Sequence, residues 1–268
     1  MEPEWELREA GPRDAELTVL LLPGGMCSAG AYAELMAEPA LANTRLVAAT
    51  LPGHAGTPPP DDYSIENYAR LAAEVATKVG ADVVVGFSMG ASVALEMVAS
   101  RSFAGPVVLL GIALSTKDEP AFFRALIRSG GVLGSLPASL LAKGAASMVK
   151  RIPASAERQG EMREDLRKNV PQHMRHALNE YVRWLQRNER PAERLCQAGV
   201  PTWIVHAEKG DGGLTADERR TLESCPHAHV VTIPGHVFFL PNEVPEQIAG
   251  IVLEATHQAR HQSVSASP

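Results

Sequence analysis

The sequence predicts an α/β protein in which a mostly parallel, doubly wound sheet is interrupted by an inserted block of helices. Short runs of β-branched and aliphatic residues, each ending at Gly, Pro or Ser, alternate with segments of helical pattern. This order is typical of repeated strand–helix–strand units. Between residues 116 and 196 the alternation stops, and no convincing strand is present there. The alternation and its interruption together indicate the fold class.

The apolar runs are predicted to be strands of one sheet. Their residues are apolar on both alternating faces, which is typical of a parallel sheet covered by helices on both sides. The runs begin at Thr18, Arg45, Asp82, Pro106, Pro201 and Ala228.

Helical patterns separate these runs. In the sheet domain the predicted helices are Ser64–Val79, with Ser64 as the N-cap and Gly80 as the stop, Met89–Val98, Ala216–Ser224 and Val244–His257. In the inserted block they are Ala121–Arg128, Pro137–Lys150, Ala156–Asn169 and His173–Arg190.

These patterns predict the domain organisation. Residues 1–115 and 197–260 are expected to form two parts of one sheet domain, with residues 116–196 as a helical cap between them. Residues 261–268 are expected to be a disordered tail. We interpret the inserted block as a lid over one end of the sheet, and packing on an edge of the sheet is the alternative.

Composition and charge exclude several classes of protein. The 268 residues carry a net charge of −6 with acidic and basic residues interspersed, so we expect neither a nucleic-acid nor a membrane partner. Cys27, Cys196 and Cys225 lie far apart without CxxC spacing, which argues against a disulfide framework and a zinc site. The polar N-terminal segment lacks a secretory pattern, and the apolar runs are too short to span a bilayer. We expect a cytoplasmic monomer or homodimer.

The motifs of cofactor enzymes are missing as well. The chain has no GxGxxG, no phosphate-binding loop and no HExxH. We therefore expect no cofactor and no metal, and a small molecule as the substrate.

One motif predicts a nucleophile. Gly86-Phe87-Ser88-Met89-Gly90 stands where a buried strand ends and a helix begins. A sharp turn there exposes a serine, and glycines two positions to either side keep the strand and the helix from clashing. Ser88 is the predicted nucleophile. A glycine-rich turn that merely packs a strand against a helix is the alternative.

A serine hydroxyl needs a base to take its proton, and a carboxylate to orient that base. In the chain order serine, acid, histidine, the base follows the last strand, and His236 stands there. The acid is expected after the strand that starts at Pro201, where Asp211 is the first choice and Glu208 the second. Asp118, after the preceding strand, is a third candidate.

The oxyanion of a tetrahedral intermediate needs preorganised N–H donors. The N–H of Met89, directly after the nucleophile, is the first expected donor. The loop after the first apolar strand supplies the second, with Gly25 as the better candidate and Met26 in reserve. His54, in the loop Leu51–Gly56, is expected to fix that loop rather than to act as a base.

The elements LLPGG, LPGHAGT, GFSMG, HAEKGD and PGH resemble, in order and spacing, those of the α/β-hydrolase superfamily. The resemblance implies an α/β-hydrolase fold, a Ser88–Asp211–His236 triad, an oxyanion hole and a helical cap. GFSMG is similar to the elbow of small esterases and cofactor-free perhydrolases. Two features depart from the common pattern: Pro23-Gly24 stands in place of His-Gly, and the acid loop is longer and has Ala207 in place of a glycine.

These residues predict a serine hydrolase that cleaves an ester-like carbonyl substrate through an acyl-enzyme. A protein of the same fold that binds a small molecule without turnover is one alternative. Lyase or perhydrolase chemistry on the same triad is another.

Overall fold

A computed structural model describes residues 5–119, 149, 152, 154–210 and 213–265, except for the side chains of residues 236 and 262–265. The predicted helices Ala121–Arg128 and Pro137–Lys150, apart from residue 149, lie outside the described residues, and so does Asp211. Among the described residues, no helix combines the length and the apolar character needed to cross a membrane.

The described strands form one seven-stranded sheet in the order β1-β3-β2-β4-β5-β6-β7. Only β1 runs antiparallel to its neighbour within this sheet, and every other described pair is parallel. This confirms the predicted fold class. The strands are β1 (Leu7–Ala10), β2 (Thr18–Leu22), β3 (Arg45–Ala49), β4 (Val83–Phe87), β5 (Val107–Leu110), β6 (Thr202–Lys209) and β7 (Ala228–His236).

Each predicted strand begins within one residue of an observed one, whereas β1 was not predicted. The four residues of β1 are mostly exposed and polar in pattern, so no hydrophobic periodicity marks them. β1 exists because its backbone pairs with β3, with Leu7 opposite Ala49 and Ala10 opposite Leu46. A contact so distant in sequence leaves no local signal.

The centre of the sheet is covered on both faces. In β2 the side chains of Leu20 and Leu22 belong to one buried cluster, and those of Val19 and Leu21 to the other. All residues of β2, β4 and β5 are buried. This is the reason why the strands appear in the sequence as continuous apolar runs rather than as alternating ones.

The helices of the sheet domain begin and end largely where capping signals predict. Ser64 accepts a hydrogen bond from the Asn67 N–H, and Gly80 ends the helix in the left-handed conformation. The described α-helices are α1 (Ala33–Met36), α2 (Ile65–Val79), α3 (Met89–Ala99), α4 (Ala156–Arg167), α5 (Pro171–Arg187), α6 (Pro191–Ala198), α7 (Ala216–Glu223), α8 (Leu240–Glu243) and α9 (Pro245–Ser265).

The described part of the insertion contacts the sheet domain in two ways. Buried residues of α5 and α6, among them Tyr181, Trp184 and Leu195, belong to the same apolar cluster as α2 and α3. Helix α4 instead lies against the segment that follows β2, where Arg158 pairs with Glu34 of α1 at 2.7 Å. A helix at α6 was not predicted. It is separate from α5 because Arg190 adopts a left-handed conformation, with φ of 51°.

The last helix is longer than predicted. Helix α9 continues to Ser265, past the expected end at His257 and into the segment expected to be disordered. Ala259 is buried and packs in the same apolar cluster as Ile251, Val252 and Ala255. Because residues 258–265 contain neither Gly nor Pro, nothing local ends the helix earlier.

Candidate active site

Ser88 occupies a sharp turn between β4 and α3. Its backbone has φ of 51° and ψ of −118°, a conformation that side-chain-bearing residues rarely adopt. The turn is held by the Ser88 N–H, which donates to the Leu110 carbonyl at 2.9 Å, and by the Ser88 carbonyl, which accepts from the Ala91 N–H at 2.9 Å. Ser88 is half-buried between the buried Phe87 and Met89. The turn therefore presents the serine at the end of the strand.

The two glycines of the motif are required by close backbone contacts. A Cβ at Gly86 would lie 2.3 Å from the Gly90 carbonyl oxygen. A Cβ at Gly90 would lie 2.2 Å from the Leu22 carbonyl oxygen. Neither distance is compatible with any side chain. The glycines let β4, α3 and the end of β2 meet at the turn, as the sequence pattern predicts.

The loop after β2 lies directly over Ser88. A Cβ placed on Gly24 would be 3.4 Å from the Ser88 Cβ, and one placed on Gly25 would be 3.8 Å from the Met89 Cβ. The backbone of this loop thus lies close to Ser88, where an N–H donor for a substrate oxygen is expected.

The N–H of Met26 already has an acceptor. It donates to His54 Nδ1 at 2.9 Å. Met26 was the reserve candidate for the second oxyanion donor, and this bond favours Gly25 over it. His54 is 1% exposed, in keeping with the expectation that it holds a loop. Burial, assisted by the nearby His173, lowers the pKa of His54 to about 4.

The surroundings of Cys27, which lies in the same loop, disfavour it as a nucleophile. Burial, assisted by the charge of Asp165, raises the pKa of the Cys27 thiol to about 12. A thiol with such a pKa stays protonated at neutral pH, and only the thiolate is strongly nucleophilic.

His236 is the last residue of β7, at the carboxyl edge of the sheet where Ser88 also lies. Its backbone pairs with Lys209 of β6, and the next N–H, that of Val237, donates to the Lys209 carbonyl at 3.0 Å. The segment after His236 turns towards the end of β4, since the ring centroids of Phe239 and Phe87 lie 5.9 Å apart. The His236 side chain lies outside the described atoms.

The three candidate acids differ in their surroundings and in their exposure to solvent. Asp211 lies outside the described residues. Glu208 is exposed, and its Oε2 accepts a hydrogen bond from the Gly235 N–H at 3.1 Å, next to His236. Asp118 is 2% exposed, and its Oδ2 accepts from three donors on Leu114 and Ser115. The Asp118 carboxylate thus organises its own loop.

The sequence analysis did not identify Asn169, whose amide reaches the loop after β2. It follows α4, is 7% exposed, and donates from Nδ2 to the Met26 carbonyl at 2.9 Å. The two residues are 143 positions apart, so no spacing in the sequence links them. The sequence itself shows an asparagine between two helical patterns, which is a common position for a helix cap and does not suggest a role in the site.

Comparison with known proteins gives the family of the chain. A model of the alpha/beta hydrolase family matches residues 19–251. The chain belongs to the α/β-hydrolase family. This membership supports hydrolase activity in general. A search of the curated proteins gave no significant match.

Solved structures similar to this α/β hydrolase include enzymes of different chemistry. A thermophilic esterase from Thermogutta terrifontis is 19% identical with a TM-score of 0.72, over 96% of this chain and 94% of that one. A haloalkane dehalogenase variant from Bradyrhizobium elkanii is 19% identical with a TM-score of 0.68, over 98% and 95%. A thioesterase domain from the curacin biosynthetic pathway is 18% identical with a TM-score of 0.65, over 93% and 94%. The likeness shows the shared fold, and the reaction has to be argued from the site.

Proposed function

We propose that this α/β hydrolase is a serine hydrolase that cleaves ester-like carbonyl substrates through an acyl-enzyme. The observation that carries the proposal is the strained turn at Ser88, with two glycines that no other residue could replace. A protein that only needed a strand-to-helix connection would have no reason to hold a serine at φ of 51°. A serine at position 88 also favours acyl transfer over chemistry that starts from a carboxylate nucleophile.

The proposed reaction has two steps. His236 takes the proton of the Ser88 hydroxyl as the oxygen attacks the carbonyl carbon, and the N–H groups of Gly25 and Met89 stabilise the oxyanion. The C–O bond to the leaving alcohol breaks, and His236 returns the proton to that alcohol. A water molecule then attacks the acyl-enzyme with His236 as base, which releases the carboxylic acid and regenerates Ser88. Asp211 is the proposed partner that orients His236.

The surroundings of the site support an apolar acyl group. The Phe239 ring contacts that of Phe87, the residue before Ser88, in a tilted arrangement. Phe239 also packs against an apolar cluster of the insertion formed by Val149, Ile152 and Met162. These contacts place apolar side chains of the insertion on the same aromatic residue that follows His236. We propose that the insertion covers the site and selects the acyl chain.

Ser88 can be tested directly. Wild type, Ser88→Ala and the control Ser102→Ala should be assayed with p-nitrophenyl esters from acetate to octanoate. We expect Ser88→Ala to lose roughly 10³-fold or more of the hydrolysis rate, by analogy with other triad serines. Ser102 bonds to the Met97 carbonyl at the end of α3, away from the turn, so Ser102→Ala should retain wild-type activity.

A second readout identifies the nucleophile. A fluorophosphonate reagent should label wild type and Ser102→Ala, with the adduct mapped to Ser88 by mass spectrometry. An unlabelled Ser88 in folded protein would overturn the proposal. Binding of esters without turnover would instead support a binding protein, and product formation without ester hydrolysis would support lyase or perhydrolase chemistry.

A further inference from the structure

Met26, in the loop over Ser88, has a backbone conformation that needs support. Its φ is 69°, in the left-handed region that residues other than glycine rarely occupy. Met26 directly follows Gly24 and Gly25, so its backbone determines how these two residues approach the nucleophile. A strained residue in a loop keeps its conformation only where neighbouring groups hold it.

One side of Met26 is held by His54. The Met26 N–H donates to Nδ1 of this buried histidine at 2.9 Å, and the other ring nitrogen, Nε2, lies 3.4 Å from the Tyr68 hydroxyl. Because Nδ1 accepts a hydrogen bond, the proton of the neutral imidazole lies on Nε2. Because the pKa of His54 is lowered by burial and then by His173, the imidazole stays neutral and keeps this acceptor at neutral pH.

The other side of Met26 is held by Asn169, from the insertion. The Asn169 Nδ2 donates to the Met26 carbonyl at 2.9 Å, and its Oδ1 accepts from the Ala55 N–H at 2.9 Å. Ala55, next to His54, also has a positive φ, of 47°. One buried amide therefore joins two strained residues, on the loops that follow β2 and β3. Its orientation is assigned by its partners, a carbonyl on one side and an N–H on the other.

Helix α4 carries Asn169 to this position. The Arg158 guanidinium bonds to Glu34 at 2.7 Å and also to the Gly30 carbonyl. Near the other end of the helix, Asp165 accepts a hydrogen bond from the Ser28 hydroxyl. These contacts align α4 along the loop that follows β2, so that the residues after the helix reach Met26.

We propose that Asn169 is a positioning residue of the oxyanion hole, through which the helical insertion holds Met26 and hence the Gly25 N–H over Ser88. This inference rests on the proposed function. If the inference holds, the insertion does more than cover the substrate, because Asn169 also holds the loop whose N–H groups stabilise the transition state. Without the Asn169 donor, the Met26 carbonyl loses that partner, while the His54 bond and the turn bond from the Cys27 N–H to the Gly24 carbonyl at 3.1 Å remain. We expect the Met26 peptide group to rotate and the Gly25 N–H to shift with it.

The substitution that tests this is Asn169→Asp, which keeps the acceptor for the Ala55 N–H but removes the donor to the Met26 carbonyl and to two carbonyls at the end of α4. The matched control is Asn67→Asp. Asn67 lies in the first turn of α2, where its Nδ2 donates to the Asp62 carbonyl at 2.6 Å and its Oδ1 accepts from an arginine, so the same substitution again removes a donor and keeps an acceptor. Asn169→Ala, which removes both bonds, is the second test variant.

An oxyanion donor contributes to the transition state and little to substrate binding, and complete loss of one typically costs about 10²–10³ in rate. For displacement of the donor we expect kcat of Asn169→Asp to fall roughly 10- to 100-fold, with KM within about 2-fold of wild type. The affinity for a trifluoromethyl ketone, which forms a tetrahedral adduct with the serine, should fall by the same factor as kcat. Asn67→Asp should match wild type in both.

The outcomes separate this inference from the proposed function. Unchanged kcat in both Asn169 variants, or an equal loss in Asn67→Asp, would overturn the inference while leaving Ser88 as the nucleophile. If wild type shows no Ser88-dependent hydrolysis, the proposed function fails. Amide hydrogen exchange of the segment 22–30 then decides whether Asn169 holds the loop: faster exchange in Asn169→Asp than in Asn67→Asp supports the inference, and equal exchange contradicts it.

Discussion

Backbone strain is concentrated around the candidate nucleophile. Among the described residues, five other than glycine have a positive φ, and three of them, Met26, Ala55 and Ser88, belong to the site or to the loops that hold it. Ser88 is held by hydrogen bonds to the ends of β5 and α3. Met26 and Ala55 are held by His54 and Asn169. Strain of this kind persists where the surroundings determine the conformation, and it is common where geometry serves a reaction.

The glycine at position 90 gives a prediction at this scale. A Cβ there would meet the Leu22 carbonyl oxygen at 2.2 Å, so Gly90→Ala must push the helix and the strand apart. We expect it to lower the free energy of unfolding by about 3 kcal/mol or more and to abolish labelling of Ser88. The measurement is urea denaturation followed by circular dichroism.

The control for Gly90→Ala is another glycine-to-alanine change in a helix. Gly250 lies in α9, and a Cβ placed on it would have no atom of another described element within 4 Å. Gly250→Ala should therefore stabilise the protein by about 0.5–1 kcal/mol. Equal stability of the two variants would contradict the role assigned to Gly90.

The acid of the proposed triad gives the second prediction. Asp211→Asn is expected to lower kcat by roughly 10³- to 10⁴-fold, because an amide favours the imidazole tautomer that cannot accept the serine proton. Glu208→Gln should lower kcat by less than about 10-fold, because its amide oxygen can still accept from the Gly235 N–H. A larger loss in Glu208→Gln than in Asp211→Asn would transfer the role to Glu208. The measurement is hydrolysis of the best p-nitrophenyl ester.

At the scale of elements, buried acids join three parts of the chain. Asp118 and Glu119 lie in the segment after β5, Tyr181 belongs to α5 and Glu218 to α7. The Tyr181 hydroxyl donates to Glu119 at 2.5 Å. Burial, and then the nearby Glu218, raises the pKa of Asp118 to about 6. Burial also raises the pKa of Glu119 to about 7, despite the hydrogen bond from Tyr181.

These raised pKa values predict a pH dependence. The folded protein holds a proton on Asp118 more tightly than the unfolded chain, whose carboxyl has a pKa of 3.8. Its contribution to stability is therefore complete below about pH 4 and is lost as the pH rises through about 6. Asp118→Asn removes this titration and keeps an acceptor for the Leu114 and Ser115 donors. It should raise the melting temperature at pH 8 by roughly 2–4 °C relative to wild type, and by less at pH 5.

The control for Asp118→Asn is Glu223→Gln, a carboxylate on the exposed part of α7 that pairs with Arg219. Its melting temperature should follow that of wild type at both pH values. The prediction fails if the difference between Asp118→Asn and wild type is the same at pH 5 and pH 8.

At the scale of the whole molecule, the described part of the insertion packs into the core of the sheet domain. Trp184 of α5 is 1% exposed and belongs to the main apolar cluster. Its Nε1 donates to Glu96 of α3 at 2.9 Å, and Glu96 also pairs with Arg194 of α6 at 2.7 Å. Helices α5 and α6 are thus anchored to α3, the helix that begins next to Ser88.

This anchoring predicts that the described part of the insertion does not unfold separately. Trp184→Ala should lower the free energy of unfolding by about 3–5 kcal/mol, as truncation of a buried aromatic residue does. Val170→Ala, at a position that is 44% exposed, should change it by less than about 0.5 kcal/mol. The measurement is denaturant unfolding. A small effect of Trp184→Ala would show that α5 is a detachable lid.

Features that depend on neighbours along the chain could be predicted from the sequence. The apolar runs indicated where six of the seven described strands begin, to within a residue, because residues buried on both faces leave a continuous pattern. The motif around Ser88 indicated the strained turn, because glycines two positions away on either side make that turn possible. Local capping residues indicated the ends of α2 in the same way.

Features that depend on residues distant in sequence required the tertiary structure. The pairing of β1, the hydrogen bond that engages the Met26 N–H, and the contacts of Asn169 with two loops all join segments that no spacing relates. Asp118 illustrates the same limit, since its position after a strand suggested a catalytic acid, whereas its donors are local and its neighbour Glu218 comes from another helix. A side chain's chemistry depends on the groups packed around it, and only folding brings those groups together.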